Sequence, residues 1–189
     1  MAKDRQEMER EFIDTAKEKT GHDLNEWMDI IAASGETRTN AIIKWLKTNH
    51  SLNHMQANFL AGIYLNDGKP VFDPVALLAK LFVDKEDQRP LYDALIAELE
   101  MTLAGVRVVP IKTYVSLEHE RVFGCVKINK SNLRVGLDLG DAPFTGIVQH
   151  AKGLGAMPNI SHMIEISAQS DITAEMMDIV QQAYAHAKP

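Results

Sequence analysis

From Ile111 to Leu139 the side chains are sorted by parity over three consecutive stretches, each bracketed by turn residues, and a chain with that pattern is constrained to a half-buried antiparallel sheet. Ile111, Val115 and Leu117 alternate with Lys112, Tyr114 and Ser116. Val122, Val126 and Ile128 alternate with Arg121, Phe123, Cys125 and Lys127, and Leu133, Val135, Leu137 and Leu139 with Arg134, Gly136 and Asp138. One face is aliphatic. The other is expected to stay open and to carry cations, two aromatics and the single cysteine.

Helical periodicity surrounds this sheet. Arg5 to Lys19 has a narrow stripe of Met8, Phe12, Ile13 and Ala16, which predicts an amphipathic helix ended by Thr20-Gly21-His22. Asp23 is placed to cap a second helix through Trp27 and Ile31 to Ser34-Gly35, Thr37 or Thr39 begins a third, and Ser51 or Asn53 a fourth that runs towards Asp67-Gly68. Lys69 to Arg89 contains Pro70 and Pro74 and reads as a connector with one short helix, Val75 to Phe82. Pro90 suits the first turn of a longer helix with Leu91, Leu95, Ile96, Leu99 and Leu103 on one side. After the three strands come a loop from Gly140 to Ser161, which includes Pro143 and Pro158, then a strand His162 to Ser167 and a helix from Thr173 to Ala187.

The fold class expected is therefore α+β: an amino-terminal all-helical bundle, residues 1–68, a connector, 69–89, and a two-layer sandwich, 90–189, in the order helix, three antiparallel strands, long loop, strand, helix. The aliphatic face of the sheet needs the two helices as its cover.

Composition bounds the function. The net charge of −6 argues against a strongly basic nucleic-acid binder, yet Arg107 to Arg134 holds six cations against two acids. There is no apolar run of 18 residues, and the charged start MAKDRQEMEREF lacks the apolar stretch of a secretory signal, so a cytoplasmic protein with no membrane span is expected. One cysteine permits neither an intrachain disulfide nor a cysteine-rich zinc site.

Residues 20 to 66, with Thr20-Gly21, Leu24, Trp27, Ser34-Gly35, Thr37, Ile42, Trp45-Leu46-Lys47, His50 and Ala57, resemble a small bacterial helical family known only as a domain of unknown function. Residues from about 88 to 187 resemble a second uncharacterised bacterial family, through Tyr114, Leu133-Arg134-Val135 and Gln182-Ala183-Tyr184. Neither resemblance implies an activity or a catalytic residue. The carboxy-terminal topology is also similar to that of frataxin-like iron chaperones, but the acidic ridge of such proteins has no counterpart in the scattered Asp93, Glu98 and Glu100.

Five residues on the open face, Tyr114, Arg121, Phe123, Lys127 and Arg134, form the candidate ligand site, because aromatics can stack on bases while neighbouring cations meet phosphates. The competing reading is that the aromatics pack under the helical domain or a second chain. Asn53-His54-Met55-Gln56-Ala57-Asn58 after a short turn resembles the start of a recognition helix, but residues 1–60 hold eight cations against ten acids. His50 and His54 have metal-ligand spacing with a turn between them and no third ligand. Cys125 lies beside Arg121 and Lys127, which could lower its pKa, with His119 in the adjacent turn. Lys152-Gly153-Leu154-Gly155 lacks the hydroxyl residue and the strand-to-helix placement of a phosphate loop, and reads as a flexible loop beside the sheet.

The expectation is a non-catalytic binding protein, with no cofactor and no metal, whose cationic and aromatic sheet face meets an anionic partner, nucleic acid first. The alternatives are a structural or protein-interaction module, in which that face docks the bundle or a second copy in a homodimer, and a small enzyme using the groove under the 140–161 loop.

Overall fold

The computed structural model describes residues 5–155, 157 and 159–187; Pro158 of the expected loop lies outside them. The chain divides into two compact units, Met1–Asp73 and Pro74–Pro189. The connector expected at 69–89 is thus divided between them, and each part has a physical reason to be where it is.

In the first unit the stripe at the start of the chain forms two helices, α1 (Arg5–Asp14) and α2 (Ala16–Thr20). They are separated at Thr15, whose hydroxyl donates to the Glu11 carbonyl. Helix α3 (Leu24–Ser34) begins at a capping box: Asp23 accepts from the Glu26 N–H, Glu26 accepts from that of Asp23, and Gly35 ends the helix at φ 71°. Helix α4 (Thr39–His50) is followed by α5 (His54–Leu65), whose capping box joins Asn53 and Gln56. Phe12, Trp27, Ile31, Ile42, Leu46, Phe59 and Leu60 meet in the core of this unit.

Glu9 on α1 is 1% exposed, and its two carboxylate oxygens accept the backbone N–H groups of Val71 and Phe72, both at 2.9 Å. That pair of charge-assisted bonds draws residues 69–73 against the bundle, where the Phe72 ring stands edge-on to Phe59.

The second unit starts with α6 (Pro74–Phe82), then α7 (Arg89–Thr102), which has Pro90 in its first turn. The sheet comprises β1 (Arg107–Pro110), β2 (Val115–Glu118), β3 (Val122–Ile128), β4 (Leu133–Leu137), β5 (Gln149–His150) and β6 (His162–Ile166), arranged β1-β2-β3-β4-β6-β5 with every pair antiparallel. Helix α8 (Ala174–His186), capped by Thr173, closes the chain. Leu95, Leu99, Val126, Val135, Ile164, Met176 and Val180 share one core, so α7 and α8 cover the aliphatic face as the α+β reading requires, and Leu81 and Phe82 of the expected connector belong to the same core. Of the first expected strand, Ile111 to Leu117, only the end belongs to β2; the Ile111 N–H donates to the Tyr114 carbonyl and makes its start a turn, and β1 lies ahead of it. Among the described residues no helix is long and apolar enough to cross a membrane.

Glu9→Ala leaves two inward-facing N–H groups without an acceptor, and Glu9→Gln supplies one acceptor oxygen where two are used. Both substitutions should destabilise the first unit, the alanine by about 2–4 kcal/mol. Trp27 and Trp45, the two tryptophans of the chain, lie in this unit, so the urea midpoint followed by tryptophan fluorescence reads it selectively. An unchanged midpoint for both variants would contradict the role given to Glu9.

Candidate functional site

The sheet face expected to be open is covered. Its central row runs across Ser116, Cys125, Gly136 and Met163, paired strand to strand. Leu154 and Ile160 from the segment between β5 and β6 pack on this row, with Tyr114 and Met157 beside them, and Cys125 and Met163 are fully buried. Gly136 makes the approach possible: a Cβ there would lie 2.5 Å from Leu154 Cδ1 and 2.7 Å from Ile160 Cγ2. The loop read as flexible is a strap.

Phe123 is on the wrong side for the expected site. Leu117 pairs with Gly124 but Glu118 pairs with Val122, so Phe123 is the extra residue of a β-bulge. The bulge moves its ring to the helix side, where it is 0% exposed and edge-on to Tyr184 of α8, and brings Val122 to the surface instead. Tyr114 sits in the β1–β2 turn, half-buried against the strap and unavailable as an open stacking platform.

The cations have partners. Arg134 Nε donates to Glu165 at 3.1 Å and its Nη1 to the Lys152 carbonyl of the strap at 3.3 Å. Lys127 Nζ donates to the Thr113 carbonyl at 2.7 Å, and Arg107 pairs with Glu118. The cationic surface counted along residues 107–134 is therefore partly neutralised by Glu165 from β6.

Other candidates take structural roles. Asn53 and Gln56 are held in their capping box, which occupies the amide oxygens of both side chains. The His50 ring lies 5.1 Å from Trp27 and 4.8 Å from Trp45, centroid to centroid, as part of an aromatic cluster. Cys125 is not an activated thiolate: burial pushes its thiol up to about 11, outweighing the Gly136 N–H and Lys127, which act the other way.

Polar groups converge elsewhere, at the end of the sheet where the turn before β3, the end of β4, the approach to β6 and the last turn of α8 meet. Arg121, Asp138, Gly140, Asp141, Asn159, Ser161 and His186 line a depression of about 490 Å³. Asp138 is buried; its Oδ2 accepts from Arg121 Nη1 at 2.5 Å and its Oδ1 from the Gly140 N–H at 3.3 Å, with His186 Nε2 3.8 Å from Oδ1. Arg121 Nη2 donates to the His186 carbonyl, which caps the end of α8. Next to this ion pair, Ser161 Oγ lies 2.9 Å from His162 Nδ1 while His162 Nε2 lies 2.8 Å from the Ala142 carbonyl. A carbonyl only accepts, so Nε2 carries the proton, Nδ1 is the acceptor and Ser161 donates to it. Of the five residues expected from the sequence, only Arg121 lines this depression. Asn159 and Ser161 gave no signal because they sit in a stretch with no periodicity, and they reach the site only through the course of the strap.

Two measurements test the cover. Gly136→Ala puts a methyl group into the Leu154 and Ile160 contact and should cost about 1–3 kcal/mol, read from the urea midpoint by circular dichroism and from faster amide exchange in β3 and β4. Burial of Cys125 also sets a pH dependence. The unfolded thiol ionises near pH 9 and the folded one near 11, so the stabilisation is intact below 9 and falls as pH rises towards 11, by up to about 2–3 kcal/mol. Tyr92, pushed up to about 12 by burial, adds a loss of the same sign above pH 10. Cys125→Ala should remove the first part of that fall and retain the second; equal slopes between pH 9 and 10 would refute it.

Comparison with known proteins finds two family models that match the chain, each of a domain of unknown function. Residues 9–66 match the model of a domain of unknown function, DUF4287. No curated protein and no solved structure matches the chain. The second match, to another domain of unknown function, DUF5655, spans residues 79–187, more than half of the chain, and the protein belongs to that family.

Proposed function

We propose that the protein is a binding protein whose second unit takes a small polar ligand in the depression at the end of the sheet. The observation that carries this reading is the convergence there of Arg121, of Asn159 and Ser161, and of His186, from three separate segments of the chain, around one open volume. The expected anionic partner is retained in part. Arg121 uses two of its five N–H groups on Asp138 and the His186 carbonyl, and the others can meet a carboxylate or phosphate oxygen. Asp141 on the same rim favours a ligand that also carries hydroxyl or amino donors, and the shallow volume suits a molecule much smaller than an oligonucleotide. Stacking of nucleic acid on the sheet face is not favoured, since Phe123 is buried on the helix side and the strap covers the row from Cys125 to Met163 of β6.

Titration of ¹⁵N-labelled protein with inorganic phosphate, lactate, serine and a short single-stranded oligonucleotide, each separately, tests the proposal. A ligand with both acceptor and donor groups should shift the amides of residues 121, 138–141, 159–161 and 186 together, and Arg121→Gln should weaken that binding at least about tenfold, the scale for one lost charge-assisted bond. Shifts centred on Lys127 and Arg134 with the oligonucleotide would restore the sheet-face reading, and no shifts with any of the four would overturn the site.

A further inference from the structure

Ser161, His162 and the Ala142 carbonyl form a nucleophile, base and orienter in a row, and Ser161 lines the depression with the other two behind it. His162 is 1% exposed, and its Nε2–H is fixed by the Ala142 carbonyl at 2.8 Å, which leaves the Nδ1 lone pair directed at the Ser161 hydroxyl at 2.9 Å. The His162 ring is further held by Phe144, stacked on it at 4.5 Å and 20°, and Phe144 in turn stacks on His150 at 3.6 Å. A hydroxyl on a rim, donating to a buried imidazole of defined tautomer, meets the geometric requirement for an activated serine. We propose that Ser161 is a nucleophile activated by His162, and that the depression hydrolyses activated esters of small polar acids. This rests on the reading of the depression as a ligand site.

The step balances without a co-reactant other than water. Ser161 Oγ forms a bond to the acyl carbon as its proton passes to His162 Nδ1 and the carbonyl π pair moves onto oxygen, where Arg121 and Asn159 of the same lining are the available donors. The pair returns, the bond to the leaving oxygen breaks, and that oxygen takes the proton from Nδ1. Water then gives a proton to Nδ1 and adds its oxygen to the acyl carbon, and Ser161 leaves with the proton, releasing the acid. The orienter decides the substrate class. A neutral carbonyl fixes the tautomer but stabilises a developing imidazolium less than a carboxylate does, which matches the site to aryl esters and other good leaving groups rather than amides.

The test is covalent labelling of the full chain with a fluorophosphonate, which forms a bond to activated serines, followed by peptide mass spectrometry. One adduct on Ser161 is expected in the folded protein, none in urea and none in Ser161→Ala. His162→Gln, with folding checked by its thermal transition, should slow labelling by about a hundredfold, the scale for loss of a general base. Labelling of the unaltered chain should slow in D₂O, which tests the proton transfer without any variant that could misfold. Absence of the adduct under conditions that fully label trypsin, an equal rate in folded His162→Gln, or an equal rate in D₂O would each overturn the proposal. The amide-shift titration separates the two failures: ligand shifts around Arg121 with no adduct on Ser161 leave a binding site that does no chemistry.

Discussion

The contact on which the second unit depends is the approach of the strap to Gly136. A sheet with helices on one side leaves its other side to solvent unless something crosses it, and here the chain between β4 and β6 does so. Leu154 and Ile160 reach the sheet because Gly136 has no side chain, and with them they bury Cys125 and Met163. Arg134 fixes the strap from the sheet side by its bond to the Lys152 carbonyl. The same course then delivers Asn159 and Ser161 to the end of the sheet, where Arg121 and His186 already stand. Cover and site are thus two consequences of one packing decision.

The charge pattern follows from the pairing of the strands. Lys127, Arg134 and Glu165 lie opposite one another across β3, β4 and β6, so an acid 31 residues beyond Arg134 becomes its direct neighbour. Asn132 donates to the other oxygen of Glu165, which holds the carboxylate in place for Arg134. At the far end Arg121 meets Asp138 in the same way. A count of charges along the chain does not anticipate these pairs because antiparallel register brings them together only in three dimensions. The cations of this face secure the fold more than they advertise a ligand.

Parity and capping were legible in the sequence wherever a local rule decides the structure. Asp23 with Glu26 and Asn53 with Gln56 start their helices as capping signals should, and Ser116, Cys125, Lys127, Arg134 and Gly136 share the face that alternation assigns to them. Phe123 escaped because a bulge adds one residue to one strand, and one residue is enough to exchange the two faces beyond it. The β1–β2 turn was hidden because Ile111 and Tyr114, which close it, fit the alternation of the strand that follows. Ser161 and His162 were hidden for another reason: the hydrogen bond from His162 to Ala142 closes a span of 20 residues that no spacing rule reaches.

Strand ends are where such a site can form. Along the central strands most side chains are buried, either under α7 and α8 or under the strap, which leaves little room there for a ligand. At the ends the ladder stops, the chain turns at Gly140 and Asn159 with φ of 58° and 68°, and polar side chains satisfy the groups that the ladder leaves. Asp138, Arg121 and the His186 carbonyl do this for the end of β4 and the end of α8. Once those needs are met, Arg121 and Ser161 still line the open volume, so the proposed ligand site is a by-product of closing the fold.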